Sequence, residues 1–291
     1  MGDNVYADGS DMQRKRRAYA ELGRIPGYVA LKRTTRVLAT WDDHDYGYND
    51  VGGEYRAKRA SQRVFLDFFE EPADSPRRGT PGVYAAYEVG PPERRLQIIL
   101  LDTRYFRSRL EPVPRVDPKK RNYRSTRDTT KTMLGAEQWA WLEDQLRRPA
   151  RVRLLVSSIQ VLPVDITGER WDAFPHERSR LFRLVRDTSA GGVVLLSGDR
   201  HYTEVARLPA GEGGPGYPLY EFTSSGMNSV WEHGARTSVN RYRLGRTHAL
   251  HNFGLVLVDW DLETVRVELR DETGRELSGH TIEFDEIDVA P

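Results

Sequence analysis

The sequence contains no cysteine, which excludes disulfide scaffolds, zinc ribbons, thiolate-ligated iron–sulfur clusters and thiol nucleophiles. Any metal held by these 291 residues must use histidine, carboxylate, amide, phenol or water. Long apolar runs are also missing. Stretches such as 98–101 and 193–196 fall far short of the ~20 residues a membrane-spanning helix needs. Neither sign of charge predominates: Lys+Arg 44 against Asp+Glu 43 leaves a net +1, so the overall balance indicates neither a nucleic-acid footprint nor an acidic solvating chain. The opening Met1-Gly2-Asp3-Asn4-Val5-Tyr6 carries no basic start, apolar stretch or small-residue cleavage site of an export signal. What is present is a 38% hydrophobic content, enough for a sizeable core.

Apolar periodicity predicts a helical stretch over 13–31, broken at Pro26-Gly27, then a short buried strand over 37–40. A second helix follows Gly52-Gly53, with Val64, Leu66, Phe68 and Phe69 as its apolar face and Pro72 as its stop. Strands are predicted at 84–89, 96–102, 152–157, 192–197, 219–223, 255–260, 265–269 and 281–284. Helices are predicted at 134–147, where Trp139, Leu142 and Leu146 share a face, and at 176–186. The Arg/Lys-rich stretch 106–131 has three prolines and no apolar period, and reads as a long loop. Strands alternating with helices early and strands predominating late predict an α/β domain layered as a sheet sandwich, with no linker dividing it.

Chemistry concentrates where short apolar segments end in acids and histidines, because strand ends in open α/β sheets converge on a crevice. Asp42-Asp43-His44-Asp45 packs three carboxylates around an imidazole, a repulsion that a cation or solvent must offset. Asp199 and His201 follow the strand 192–197 and point to one side of an extended segment. Asp3 and Tyr6 stand at the start. The competing reading of each group alone is a solvated turn.

Together these segments resemble the ordered motifs of the PhoD-like (alkaline phosphatase D) metallophosphatases, within the calcineurin-like metallophosphoesterases. The residues that carry the resemblance are Gly2-Asp3-Asn4-Val5-Tyr6-Ala7-Asp8, Thr40 to Gly47, Leu101-Asp102-Thr103-Arg104, Leu134-Gly135 with Gln138 and Trp141-Leu142, Ser157 to Gln160, and Ser197-Gly198-Asp199-Arg200-His201. The resemblance implies an αββα layered sandwich of mixed sheets with a two-metal centre at the strand ends. The strand that normally precedes the Gly-Asp motif, with its Cys or Asp ligand, is lacking, so residues 1–291 are expected to be a single domain truncated at its N-terminus. It further implies that Asp3 bridges the metals, that Tyr6, Asp43, Asp199 and His201 are ligands, and that His44 is catalytic. Gln160 stands where relatives carry a ligating histidine. Arg104 and Arg200 are candidates for holding substrate oxygens, the competing reading being structural salt bridges.

Oxygen-rich donors with a phenol suit ferric iron at one position and Ca²⁺, Mn²⁺, Mg²⁺ or Zn²⁺ at the other; the resemblance implies Fe³⁺ with Ca²⁺. The expected activity is metal-dependent hydrolysis of phosphomonoesters or phosphodiesters by a metal-activated hydroxide. A catalytically inert metal- or phosphate-binding domain is the alternative. No nucleic-acid partner or membrane span is expected. The compartment is periplasmic or extracellular if a preceding segment carries a signal, and cytoplasmic otherwise. His176, His233, His248, His251 and His280 read as surface or packing residues, although His248 and His251 precede a strand at the pocket edge. Asn228 and Trp231 are placed either along the pocket or, for Trp231, in packing.

Overall fold

In the computed structural model, which describes residues 1–114, 122–164, 166 and 168–289, the chain opens with α1 (Met12–Leu22) and α2 (Pro26–Thr34), divided at the Pro26 break. Asp11 starts α1 by accepting hydrogen bonds from the Gln13 and Arg14 amides, and Pro26 starts α2 where no amide donor is needed. A single turn, α3 (Asp43–Tyr46), is followed by α4 (Lys58–Phe68), which packs on α1. Tyr19, Trp41, Tyr46, Val64 and Phe65 form one apolar cluster among these elements.

Residues 37–40, expected as a strand, pair with no strand among the described residues. Side chains take the place of a ladder: the Thr40 carbonyl accepts from Asn4 Nδ2 at 3.0 Å and the Ala39 carbonyl from Arg77 Nη2 at 2.9 Å. Next come β1 (Ala85–Val89), antiparallel to β2 (Leu96–Leu100), and a two-residue ladder of β3 (Glu111–Pro112) with β4 (Tyr123–Arg124) inside the stretch read as loop. The most basic part of that stretch, 115–121, lies outside the described residues. The chain continues through α5 (Gly135–Leu146), β5 (Val152–Ser157), α6 (Pro175–Asp187), β6 (Val193–Ser197), β7 (Thr203–Leu208), β8 (Leu219–Ser224), α7 (Glu232–Thr237) and β9 (Arg243–His248). It ends in β10 (Asn252–Asp259), β11 (Thr264–Asp271) and β12 (Glu276–Glu283).

Seven strands form one mixed sheet in the order β1-β2-β5-β6-β8-β7-β9, with β2, β5, β6 and β8 parallel and the remainder antiparallel; β10-β11-β12 form an antiparallel sheet. Every residue of β5 is buried, so both faces of the large sheet are covered at its centre. One core joins Trp139 and Leu142 of α5, Leu181 and Val185 of α6, the central strands, and Val265, Val267 and Ile282 of the smaller sheet. The result is a mixed α/β sandwich flanked by helices, with no closed barrel among the described residues. β7 and β9 are absent from the sequence reading because charge masks them. Glu204 of β7 is buried yet ion-paired to Arg243 of β9, so neither strand alternates apolar and polar residues.

Glu221 of β8 fastens the loop after β5, accepting from the Val161 amide at 2.7 Å and the Leu162 amide at 2.8 Å. Burial pushes its carboxyl up to about 7 from an ordinary 4.5, against the opposing pull of those amides. A native pKa above the unfolded one means the folded chain binds this proton more tightly. The stability this adds is fully present below about 4.5 and is lost as pH rises through about 7. The urea midpoint of Glu221→Gln is therefore expected to vary less over that window than that of the wild-type chain; parallel curves would remove Glu221 as the source.

Candidate metal centre

The parallel strands β2, β5 and β6 end beside one another, and the loops beyond their carboxyl ends carry Asp102 to Arg104, Ser158, and Asp199 to His201. The α3 turn is bound to the same place. Ser158 Oγ donates to Asp42 Oδ1 at 2.6 Å, and Arg104 Nε donates to the same oxygen at 2.5 Å. The N-terminal segment completes the site. Gly2, at φ +96°, presses so close to Asp42 that a Cβ there would lie 2.3 Å from the Asp42 Cβ. Only glycine lets Asp3 approach this turn.

Backbone strain collects at this point. Asp3 (φ 50°), Asp50 (58°), Asp199 (66°) and His201 (57°) all adopt the left-handed region, at a cost of about 1–3 kcal/mol each. Surrounding contacts hold them there: the His201 amide donates to Ser225 Oγ at 2.7 Å, and Asn228 Nδ2 donates to the Asp3 carbonyl at 2.7 Å.

Among the side chains, Tyr6 Oη donates to Asp3 Oδ2 at 3.1 Å and lies 3.3 Å from His201 Nε2. His201 Nε2 is 3.8 Å from Asp3 Oδ2. Asp3, Asp43 and His44 each offer a ligand atom within 4.8 Å of the others. Asp43 Oδ2 accepts from the Asp50 amide at 2.6 Å, while Asp3 Oδ1, Asp42 Oδ2 and Asp43 Oδ1 are buried without a hydrogen-bond partner. Buried carboxylate oxygens that lack donors are costly unless a cation meets them.

The family model of PhoD-like phosphatases matches residues 7–269. This chain belongs to the PhoD-like phosphatases. A solved structure described as "Structure of PhoD" superposes with a TM-score of 0.74 at 18% identity, a likeness of fold. The match covers 97% of this chain and 62% of that one. No curated protein matches the chain.

In this PhoD-like phosphatase, charge is distributed unevenly over the site. Burial first, then repulsion from Asp43, Asp42, Asp45 and Asp199, drives the Asp3 carboxyl well above its usual range. Burial and Asp42 do the same to Asp199. Asp42 is pushed by burial to about 7 despite Arg104. Asp43 is the exception: burial raises it, but Arg104, His44 and the Asp50 amide outweigh burial and hold it below the ordinary value. His201 is lowered by burial, which leaves a neutral imidazole able to ligate. For His44, burial pulls down, but Asp43 and Asp8 prevail and raise it. A cluster of mutually repelling carboxyls, orphaned oxygens, a phenol and a neutral imidazole has the donor chemistry for hard cations.

Both arginines named from the sequence are buried beside carboxylates. Arg104 is fully buried between Asp42 and Glu169, its Nη1 2.6 Å from Glu169 Oε2. Its guanidinium is engaged by these two carboxylates. Arg200 is also buried, with Nη1 3.7 Å from Asp199 Oδ2 and the Trp231 ring 5.2 Å from its Cζ. Gln160 donates through Nε2 to Glu204 at 2.7 Å and Thr223 at 2.9 Å.

Sequence reading passed over Asp8, whose Oδ1 lies 2.6 Å from His44 Nδ1. It sits within the first motif, so the signal was present, but nothing local ties residue 8 to residue 44. Asp50 and Glu169 were also missed. They form a second close carboxylate group with Asp43. Glu169 is paired with Arg104 and Arg107, and Asp50 accepts from Tyr123 Oη at 2.7 Å, so this group belongs to the network supporting the turn.

Proposed function

We propose that this PhoD-like phosphatase hydrolyses phosphomonoesters or phosphodiesters at a two-cation centre held by Asp3, Tyr6, Asp43, Asp199 and His201. The carrying observation is the convergence of Asp3, Asp43 and His44 on one spot with three nearby carboxylate oxygens left without donors. Asp3 would be shared between cations, since it touches Tyr6 and His201 while grouping with Asp43 and His44. When bound, such a pair clamps phosphoryl oxygens, acidifies water and offsets charge developing in an in-line displacement. The phenol and the oxygen-rich donor set favour Fe³⁺ with Ca²⁺, with Mn²⁺, Mg²⁺ and Zn²⁺ as the alternatives to test.

His44 takes the proton-donating role. Against the pull of burial, Asp43 and Asp8 raise its pKa, and Asp8 holds Nδ1, leaving Nε2 to serve the departing alkoxide. Arg104 positions Asp42, and Arg200 braces Asp199. We treat residues 1–291 as one domain because the cluster around Trp41 and the main core both support this site.

The test is chelation followed by reloading with single cations and with Fe³⁺ plus Ca²⁺. Hydrolysis of p-nitrophenyl phosphate or its bis ester is expected to vanish and return. Cation at a hundredfold excess over its Kd is expected to add about 2.7 kcal/mol of stability, and Asp3→Asn to remove most of that gain. Melting temperature and turnover indifferent to every cation would sink the reading.

A further inference from the structure

Residues 225–231 are bound to the candidate centre at several points. Ser225 Oγ accepts from the His201 amide at 2.7 Å, Asn228 Nδ2 donates to the Asp3 carbonyl at 2.7 Å, and the Trp231 amide donates to the His201 carbonyl at 3.0 Å. A loop held this firmly beside Asp3 and His201 forms part of the rim of the site. Polar groups of the segment turn inward to make these bonds. Its large apolar side chains do the opposite: Met227 is 79% and Trp231 38% exposed. Burial would be the ordinary fate of both, and neither is needed to close a core.

The Trp231 indole is nevertheless fixed. One face has the Arg200 guanidinium 5.2 Å from the ring, and the ring lies so close to Gly234, in the first turn of α7, that a Cβ there would come within 2.1 Å of it. Arg200 is itself buried and engaged with Asp199 and Tyr202. An aromatic ring held by a cation and by close packing on Gly234, with 38% of the residue still exposed, can take up further apolar surface. An unsupported surface tryptophan would lose more side-chain entropy on engaging a ligand.

We propose that Trp231, with the exposed Met227 four residues before it on the same loop, forms a leaving-group subsite that favours phosphate esters of alcohols bearing an aromatic ring. This rests on the phosphohydrolase reading above and deepens it. Phosphate would occupy the centre at Asp3, Asp43 and His201, while the ring of the alcohol lies against the exposed part of the Trp231 indole. The subsite acts on binding of the ester and takes no part in the chemical step.

The experiment compares 2-phenylethyl phosphate with ethyl phosphate, whose leaving alcohols are of similar basicity, on the metal-loaded protein. The wild-type chain is expected to show a lower KM for the phenylethyl ester at similar kcat. Trp231→Ala should reduce the kcat/KM preference about 2- to 10-fold, the worth of one aromatic contact, with the ethyl ester little changed, and Trp231→Phe should retain most of the preference. Turnover of both esters with no wild-type preference, or a preference that survives Trp231→Ala, overturns the subsite and leaves the hydrolase reading intact. If neither ester is turned over the subsite falls, and the hydrolase reading falls with it only where the bis(p-nitrophenyl) ester is also left intact. Should Trp231→Ala fail to fold, Trp231→Leu, which keeps the bulk and removes the aromatic ring, is read by the same rule.

Discussion

His44→Ala is expected to lower kcat by about 10²–10⁴-fold, the usual worth of a positioned general acid. The loss should depend on the leaving group. An alkyl phosphate expels a basic alkoxide that needs a proton, whereas p-nitrophenolate leaves without one, so the alkyl ester should suffer more. That inequality separates two roles the geometry allows. His44 groups with Asp3 and Asp43 closely enough to ligate a cation, yet its Nδ1 is engaged by Asp8 at 2.6 Å. A ligand lost from the centre would weaken metal binding and depress both esters alike. Steady-state rates with metal content measured in the same samples make the distinction, and equal losses on the two esters would exclude the acid role. Asp8→Asn removes the orienting charge while keeping the side-chain shape; a fall of about 10–100-fold is expected, as for other partners that orient a working imidazole.

The largest expected change in stability follows from removing Arg104. This guanidinium is fully buried, with Nε 2.5 Å from Asp42 and Nη1 2.6 Å from Glu169, and Arg107 Nη2 reaches Glu169 at 3.0 Å. Arg104→Met would fill the volume but leave carboxylates buried with too few partners, a change that costs about 3–5 kcal/mol. Urea unfolding should show this as a lower midpoint with little change in slope. Arg104→Lys should recover only part of it, because one ammonium cannot present a planar fork to two carboxylates. Asp42→Asn in the Arg104→Met background should recover more by removing one buried charge. A destabilisation below 1 kcal/mol in Arg104→Met would show that the network bears little on folding. Loss of activity beyond the loss of folded protein would point to a shifted α3 turn, since Arg104 holds Asp42, the residue that precedes Asp43 and His44.

Sequence alone settled the local elements whose pattern is written in neighbouring residues. Trp139, Leu142 and Leu146 set the face of α5, and the apolar run 193–196 marks β6 because an interior parallel strand is buried on both sides. The candidate ligands were visible for the same reason. Asp199 and His201 follow the end of β6, Asp43 and His44 stand in the α3 turn, and the order of the motifs along the chain carried the resemblance to PhoD-like phosphatases that the family match over residues 7–269 bore out. Tertiary structure decided which charges face one another. Asp8 meets His44 across 36 residues, and Arg104 meets Asp42 across 62. Burial set Arg104 against Asp42 and Glu169, and cross-strand pairing let Glu204 and Arg243 sit in strands their own periodicity conceals. Periodicity is set by residues two to four apart, whereas desolvation and charge pairing depend on what the folded chain brings from far away.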